Sequence, residues 1–513
     1  MSGNNGIGMR ALRLWAAVAT AALLLVTGCG STDRLPPKAF PPDVIATIDR
    51  IMQTGIDAGL IPGAAVSIID PERGTFSRAY GFADVETGRR ADVRDRYRVG
   101  SITKTFTAAA VLRLADEGKL SLDDHLSRYV DGIPNGDTIT LRDLLGMRGG
   151  VYPYNRNPEF APQVLAGEAA AQWTVEDSLR ILRTHPDKAT PPDTATEYSN
   201  SEYVLLGVVL EKVTGRPVRD VINGLAGDYG LTGTVYPGDA NVPAPESHGY
   251  AYDGTVRRDV TQRTSPGVWG AAGMLTSTVT DLADYASQLG EGRLLRPETQ
   301  RARTTFTTGM ADGAPLEYGL GLMRAATWIG HTGGVLGYTA ITMYHPDRKI
   351  SVAVTVNQYT PALQTLLFLG APSLWMNLAV ALYPDTVPDI VNPVPPTAPA
   401  IPTPAELTGL IGTALDPAIP ASDKGLRVEG DDADPELITK LARIYADAST
   451  TVTVDKVTDR GSGSLFATTT MTLPSGAVPM LIAFVPQDGA WRFTKDWVCM
   501  QVTGTGGSSP ACA

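Results

Sequence analysis

The feature that most constrains this chain is where its strand-like segments fall: at the two ends of a long region, with helical patterns between. Residues 64–69 read Ala-Ala-Val-Ser-Ile-Ile, turn at 70–74 and return through 75–83. An apolar run, a polar turn and a second run form a hairpin pattern. A second hairpin pattern joins 338–344 to 350–356 across the turn at 345–349. Between the two, helical spacing dominates at 101–118, 141–145, 201–214 and 280–289, and Gly118 ends the first of these. Val44, Ile48, Ile51, Met52 and Ile56 recur at helical spacing ahead of the first hairpin. Strands so far apart close most simply into one sheet with a helical lobe inserted, which is an α+β layout and not a βαβ repeat. The expected domain spans 44–383.

Two segments near its end bound this domain. Residues 363–383 carry no charge and are long enough to span a bilayer, but Gln364, Pro372, Ser373 and Asn377 interrupt them. A helix buried on the sheet is the expectation and a membrane element the alternative. The proline-dense stretch 384–404 reads as a semi-rigid linker. Beyond it, 405–513 is expected to be a small α+β domain of two helices (405–415 and 435–448) and about four antiparallel strands.

The first 29 residues read as an address. Arg10 and Arg13 precede the uncharged, mostly apolar stretch 14–26, and Val-Thr-Gly then leads to Cys29. This length suits a signal peptide better than a membrane span. The ending resembles a bacterial lipobox, which implies lipidation of Cys29, a tether over 30–43, and a protein held on the outer face of the cell membrane. A plain signal peptide or an N-terminal anchor helix are the alternatives. With Cys29 so used, Cys499 and Cys512 remain; outside the cytoplasm two thiols close in sequence are expected to pair, or else both stay free. A net charge of −11 argues against nucleic acid. With five histidines, no HExxH pair and no CxxC, neither a metal nor a cofactor is expected.

Three short motifs carry chemistry. Gly100-Ser101-Ile102-Thr103-Lys104 sets a serine at a helix start and a lysine three residues on, so that both share one helix face. A serine hydroxyl needs a neighbour to take its proton, and burial makes a lysine able to do so by lowering its pKa. Tyr198-Ser199-Asn200 adds a phenol that a nearby ammonium would acidify and an amide that can orient both the lysine and a carbonyl. His331-Thr332-Gly333-Gly334 lies at the start of a strand, near a sheet edge, where paired glycines let a backbone N–H approach a ligand. Taken singly, each has a bland equivalent: a capping serine with a solvated lysine, a core tyrosine with a capping asparagine, a glycine-rich turn with an exposed histidine.

Taken together and in this order, the motifs resemble the active-site signatures of the penicillin-recognising serine hydrolases. The likeness is to their class C β-lactamase, D-alanyl-D-alanine carboxypeptidase and esterase branch. It extends through residues 118–124, 139–145, 198–207, 272–278 and 318–321. It implies a β-lactamase-like fold, an antiparallel sheet flanked by helices plus a helical lobe. It further implies Ser101 as nucleophile, with Lys104 and Tyr198 moving its proton. An oxyanion would rest between the N–H groups of Ser101 and Gly334, Asn200 would hold the substrate carbonyl, and His331, Thr332 and Gly333 would line the site opposite. The implied substrates are small esters or cell-wall D-amino-acid peptides. A catalytically weak penicillin-binding or scaffold lipoprotein and a true β-lactamase are the rival expectations.

Three departures from that pattern narrow the substrate. His331 stands where many relatives carry lysine, removing a fixed cation for a substrate carboxylate. Met147-Arg148-Gly149-Gly150 replaces the usual His-Thr-Ser-Gly, and Pro192-Asp193 replaces Pro-Gly. The C-terminal unit resembles the low-molecular-weight antigen domain of actinobacterial lipoproteins at 403–407, 424–430 and 489–491, where no acid, base or nucleophile cluster is evident. Trp491 and Trp497 are expected in its core.

Overall fold

The two distant hairpins do meet. In the computed structural model β1 (Gly63–Asp70) and β2 (Gly74–Asp84) pair antiparallel, and β1 then pairs with a strand nearly three hundred residues further on, Ser67 lying opposite Ala353. The structure describes residues 38–57, 59, 61–160, 173–252, 256–311, 314–359, 370–387, 399–459, 465–473, 476–504 and 509–512. All elements named below lie in the unit Phe40–Ala513. The sequence-stated address, including Cys29, lies outside the described residues.

The sheet continues with β3 (Arg89–Arg90), β4 (Thr307–Ala311), β5 (Ala314–Tyr318), β6 (Met323–Ala325), β7 (Trp328–Val335), β8 (Tyr338–His345) and β9 (Ile350–Val356). It has nine strands in the order β3-β2-β1-β9-β8-β7-β6-β5-β4, every neighbouring pair antiparallel. Alternation along the strands divides two cores. Ala64, Val66, Ile68, Val352 and Val354 face one side, with helix α1 (Pro42–Asp57) laid over them through Ile48 and Met52. Ala65, Ala340 and Ala353 face the other side, where the larger core lies. These small side chains let a helix at Val279–Gly290 come close, and Thr342 Oγ1 donates to its Leu282 carbonyl at 2.7 Å.

The helical lobe supplies α2 (Thr103–Asp116), mostly buried, and α3 (Asn200–Thr214), buried along its first three turns. Ser101 itself sits on a single 3-10 turn, Gly100–Ile102, so the α-helix expected from residue 101 begins two residues later. The uncharged stretch resolves into helix α4 (Ala371–Leu382), whose Trp375 and Leu378 join the core beneath α1. Trp375 meets Trp328 edge-on at 5.7 Å. Residues 363–369 of that stretch lie outside the described residues. No described helix is long and apolar enough to cross a membrane.

The C-terminal unit is richer than expected. Helices α5 (Pro404–Ala414) and α6 (Leu437–Asp447) cover strands β11 (Thr451–Asp459), β12 (Leu465–Leu473), β13 (Gly476–Gln487) and β14 (Ala490–Phe493). To these the structure adds β10 (Arg427–Val428), which pairs parallel to β14, and a third helix α7 (Lys495–Gly504). A two-residue strand has no periodicity to read, and α7 hides because Trp497, Val498 and Val502 read as well in a strand as in a helix. Trp491 and Trp497 are buried in this core. Cys499 and Cys512 are joined by a disulfide.

Candidate active site

Two glycines allow the segment before α2 to touch β7. Gly100 has φ +51°, and a Cβ there would stand 2.7 Å from the Gly334 nitrogen. A Cβ on Gly333 would stand 1.9 Å from the Val99 carbonyl oxygen and 3.2 Å from the Ser101 nitrogen. Any side chain at either position would push the strand away. The backbone nitrogens of Ser101 and Gly334 are thereby brought to one place, Gly334 exposed and Ser101 half-buried.

Lys104 lies one helical turn beyond Ser101 and is fully buried. Its Nζ stands 2.9 Å from Ser101 Oγ, 2.7 Å from Asn200 Oδ1 and 2.9 Å from the Ala272 carbonyl oxygen. Among the described residues no carboxylate compensates it, so burial holds its pKa well below the usual lysine range. The Tyr198 ring centre is 4.9 Å from the same nitrogen, and Tyr203 backs it at 5.7 Å. Asn200 is held in turn: its Nδ2 donates to Asn155 Oδ1 at 3.3 Å. Ser101, Lys104, Tyr198, Asn200 and the Gly333–Gly334 backbone therefore converge, although they come from opposite ends of the domain.

His331 is only 1% exposed, and its ring centre lies 6.2 Å from that of Tyr198. Its Nε2 lies 3.1 Å from the Tyr318 hydroxyl and its Nδ1 2.5 Å from the Thr332 carbonyl oxygen. Since a carbonyl only accepts, Nδ1 carries the proton and Tyr318 donates to Nε2, which makes the ring neutral. Burial, reinforced by Lys104, pushes its pKa down to about 3. Thr332 turns its hydroxyl toward the Met323 sulfur at 3.6 Å. The position near a sheet edge needs one correction. Strand β7 is interior to the sheet, but β6 pairs only with Trp328, Ile329 and Gly330, so the half from His331 to Val335 is free of a sheet neighbour on that side.

The two remaining departures prove to be coupled. Met147 and Asp193 both adopt left-handed backbone, with φ of +59° and +58°. Arg148 Nε donates to Asp193 Oδ1 at 2.6 Å and its terminal nitrogen to the Asp193 carbonyl at 2.9 Å. The arginine in one departing segment thus binds the aspartate in the other. Tyr203, Ala272 and Tyr318 fall within the segments that carry the family resemblance but were given no role there, and Asn155 had no sequence signal. Among the described residues no cluster of three or more His, Cys, Asp or Glu could hold a metal ion.

A nine-stranded antiparallel sheet, a helical lobe and a serine beside a buried lysine at their junction define the class of β-lactamase-like folds. The beta-lactamase family model matches residues 48–366, and the chain belongs to that family. A second model, the C-terminal domain of the low molecular weight antigen MTB12, matches residues 400–509. The chain is 25% identical over 333 residues to "Protein flp" of Staphylococcus aureus, covering 62% of this chain and 64% of that protein. It is 27% identical over 310 residues to a D-aminopeptidase of Cereibacter sphaeroides, covering 59% and 58%. It therefore spans less than two thirds of the length of either relative. A D-stereospecific amidohydrolase from Streptomyces sp. superposes with a TM-score of 0.55 at 32% identity, covering 62% of this chain and 95% of the other.

Proposed function

We propose that the protein is an exported, lipid-anchored serine hydrolase that cleaves amides or esters through an acyl-enzyme on Ser101. The observation that carries this reading is the uncompensated burial of Lys104 with its Nζ 2.9 Å from Ser101 Oγ. A lysine whose pKa is depressed by burial can take the serine proton as Oγ attacks a carbonyl carbon. The oxyanion would be met by the N–H groups of Ser101 and Gly334. The leaving amine or alcohol departs with the proton, relayed by Lys104 and Tyr198. Water activated at Tyr198 then releases the acid and restores Ser101.

The neutral His331 favours acyl donors without a carboxylate opposite the nucleophile. The arginines flanking the site segments are each matched already: Arg148 with Asp193, Arg156 with Glu197, Arg324 with Glu317. A β-lactam carboxylate would find no dedicated cation among the described residues. The names of the D-aminopeptidase and the D-stereospecific amidohydrolase favour a D-configured residue on the acyl side, as in cell-wall peptides. Export and lipidation at Cys29 rest on the pattern of residues 1–29 and are tested by metabolic labelling with a fatty-acid analogue, which Cys29→Ala should abolish.

Detergent-solubilised full-length protein and its Ser101→Ala variant, given nitrophenyl esters, a D-alanyl-D-alanine peptide and a chromogenic cephalosporin, test the activity. Hydrolysis of ester or peptide, with an acyl adduct in the intact mass of the wild type alone, is expected. Equal rates for the two proteins and no adduct would leave a scaffold lipoprotein. Faster turnover of the cephalosporin than of ester or peptide would make it a β-lactamase.

A further inference from the structure

Glu202 is a carboxylate in the first turn of α3, directly ahead of a buried apolar run. It is 1% exposed and has no cationic partner. Ser199 and Glu202 have the Ser-x-x-Glu spacing of a capping box, in which the two side chains would satisfy the first N–H groups of their own helix. Neither does so. Ser199 is the N-cap residue yet makes no side-chain cap bond, and its Oγ donates instead to the Val151 carbonyl at 3.0 Å. Glu202 accepts the backbone N–H groups of Gly149 and Val151, while its Oε2 stays buried without a partner.

The rest of the turn is bonded to the same segment. Glu197 N–H donates to the Met147 carbonyl at 2.9 Å, and Ser201 Oγ donates to the Tyr152 carbonyl at 2.6 Å and accepts from Tyr154 N–H at 3.0 Å. The segment ends on Asn155, which receives Asn200 Nδ2, whose Oδ1 in turn receives Lys104. The departing sequence at 147–150 also fits Glu202: a Cβ on Gly149 would stand 3.1 Å from its Oε1 and 2.9 Å from Leu144 Cδ2. The two observations belong together, a glycine that makes room and an acid that fills it.

We infer that Glu202 is the positioning residue that sets the wall 147–155 against Asn200 and so holds the amide to which Lys104 donates. The inference rests on the hydrolase reading above and concerns the geometry of that same site. Burial holds the Glu202 carboxyl well above the usual range, against which the N–H groups of Val151 and Gly149 act. Glutamine can reproduce that pattern, whereas leucine cannot. Misplacing a catalytic group by about 1 Å can cost on the order of 10²-fold in rate.

The test compares full-length wild type, Glu202→Gln, Glu202→Leu and Ser199→Ala on p-nitrophenyl acetate, with kcat, KM and the pH profile measured and folding checked by circular dichroism. For Glu202→Leu the expected result is a kcat lower by roughly 10- to 100-fold with KM changed far less and the pH profile displaced. Glu202→Gln restores kcat and the profile, and Ser199→Ala shifts kcat in the same direction by a smaller factor. A folded Glu202→Leu with wild-type kcat overturns the inference, as does a Glu202→Gln variant as impaired as Glu202→Leu. If Glu202→Leu fails to fold, a wild-type kcat in Ser199→Ala overturns it. A wild type inert toward the ester would sink the hydrolase reading instead. The clamp is then read by hydrogen exchange across 147–155 in Glu202→Leu, where faster exchange supports it and unchanged protection overturns it.

Discussion

Lys104 in the sheet-and-lobe domain and Lys424 in the C-terminal domain are both buried, at 0% and 4% exposure, and the Nζ of each lies within hydrogen-bond distance of three oxygens. The partners of Lys424 are the carbonyls of Thr413, Ala414 and Asp416, at 3.5, 2.8 and 2.6 Å. They lie at the end of α5, where carbonyls lack helical partners and a cation is favoured by the helix dipole. Its pKa is lowered by burial, against which Asp416 and Glu436 act. Lys104 has only one backbone carbonyl; its other two partners are a serine hydroxyl and an asparagine amide. Among the described residues no acid offsets its burial. A buried lysine is therefore not a site in itself. What separates these two is whether nearby charge favours the ammonium and whether a nucleophile lies within reach.

Lys104→Met should break the catalytic half of this comparison, lowering acylation of p-nitrophenyl acetate on the order of 10⁴-fold, as loss of a nucleophile's base does. Stopped-flow absorbance measures it, and residual acylation within tenfold of wild type would remove Lys104 from its role. Tyr198→Phe should cost on the order of 10²-fold in turnover. If steady-state kcat is instead preserved, the proton relay does not pass through the phenol. Lys424→Met should leave hydrolysis unchanged while destabilising the C-terminal domain by about 1–3 kcal/mol, the usual penalty for unmet buried acceptors. Calorimetry on the full-length chain gives that value, and a parallel loss of activity would mean that the two lysines are not independent.

The smallest expected effect concerns His331. Its pKa of about 3 in the folded state lies below the ordinary 6.5, so the unfolded chain binds more protons between those limits. Stability must then rise with pH across that window, be complete above 6.5 and be lost as pH falls toward 3. Urea unfolding of wild type and His331→Gln at several pH values should show a shallower slope for the variant. Identical slopes would mean that His331 binds protons alike in the folded and unfolded chain and that burial does not depress its pKa.

Much of this was legible in advance. The hairpins at 64–83 and 338–356, the helix carrying Lys104 and the three motifs all have local signatures, because strand alternation and helical spacing are written in neighbouring residues. The wall 147–155 was legible only as a departure from a pattern. Its hydrogen bonds join residues roughly fifty positions apart, and no periodicity records them. Helix α7 and strand β10 escaped because one is apolar in both periodicities and the other is too short to have any.

The sequence by itself determined which side chains were available: Ser101 three residues before Lys104, a tyrosine and an asparagine in one turn, paired glycines at 333–334, and no lysine at 331. The tertiary structure decided what those groups are. The Lys104 pKa is depressed because α2, α3 and the Ala272 segment enclose the amine. His331 becomes a neutral ring because Tyr318 and the Thr332 carbonyl take its two nitrogens in a buried place. Protonation depends on solvation and on charges brought from distant parts of the chain, and those are properties of the packed fold.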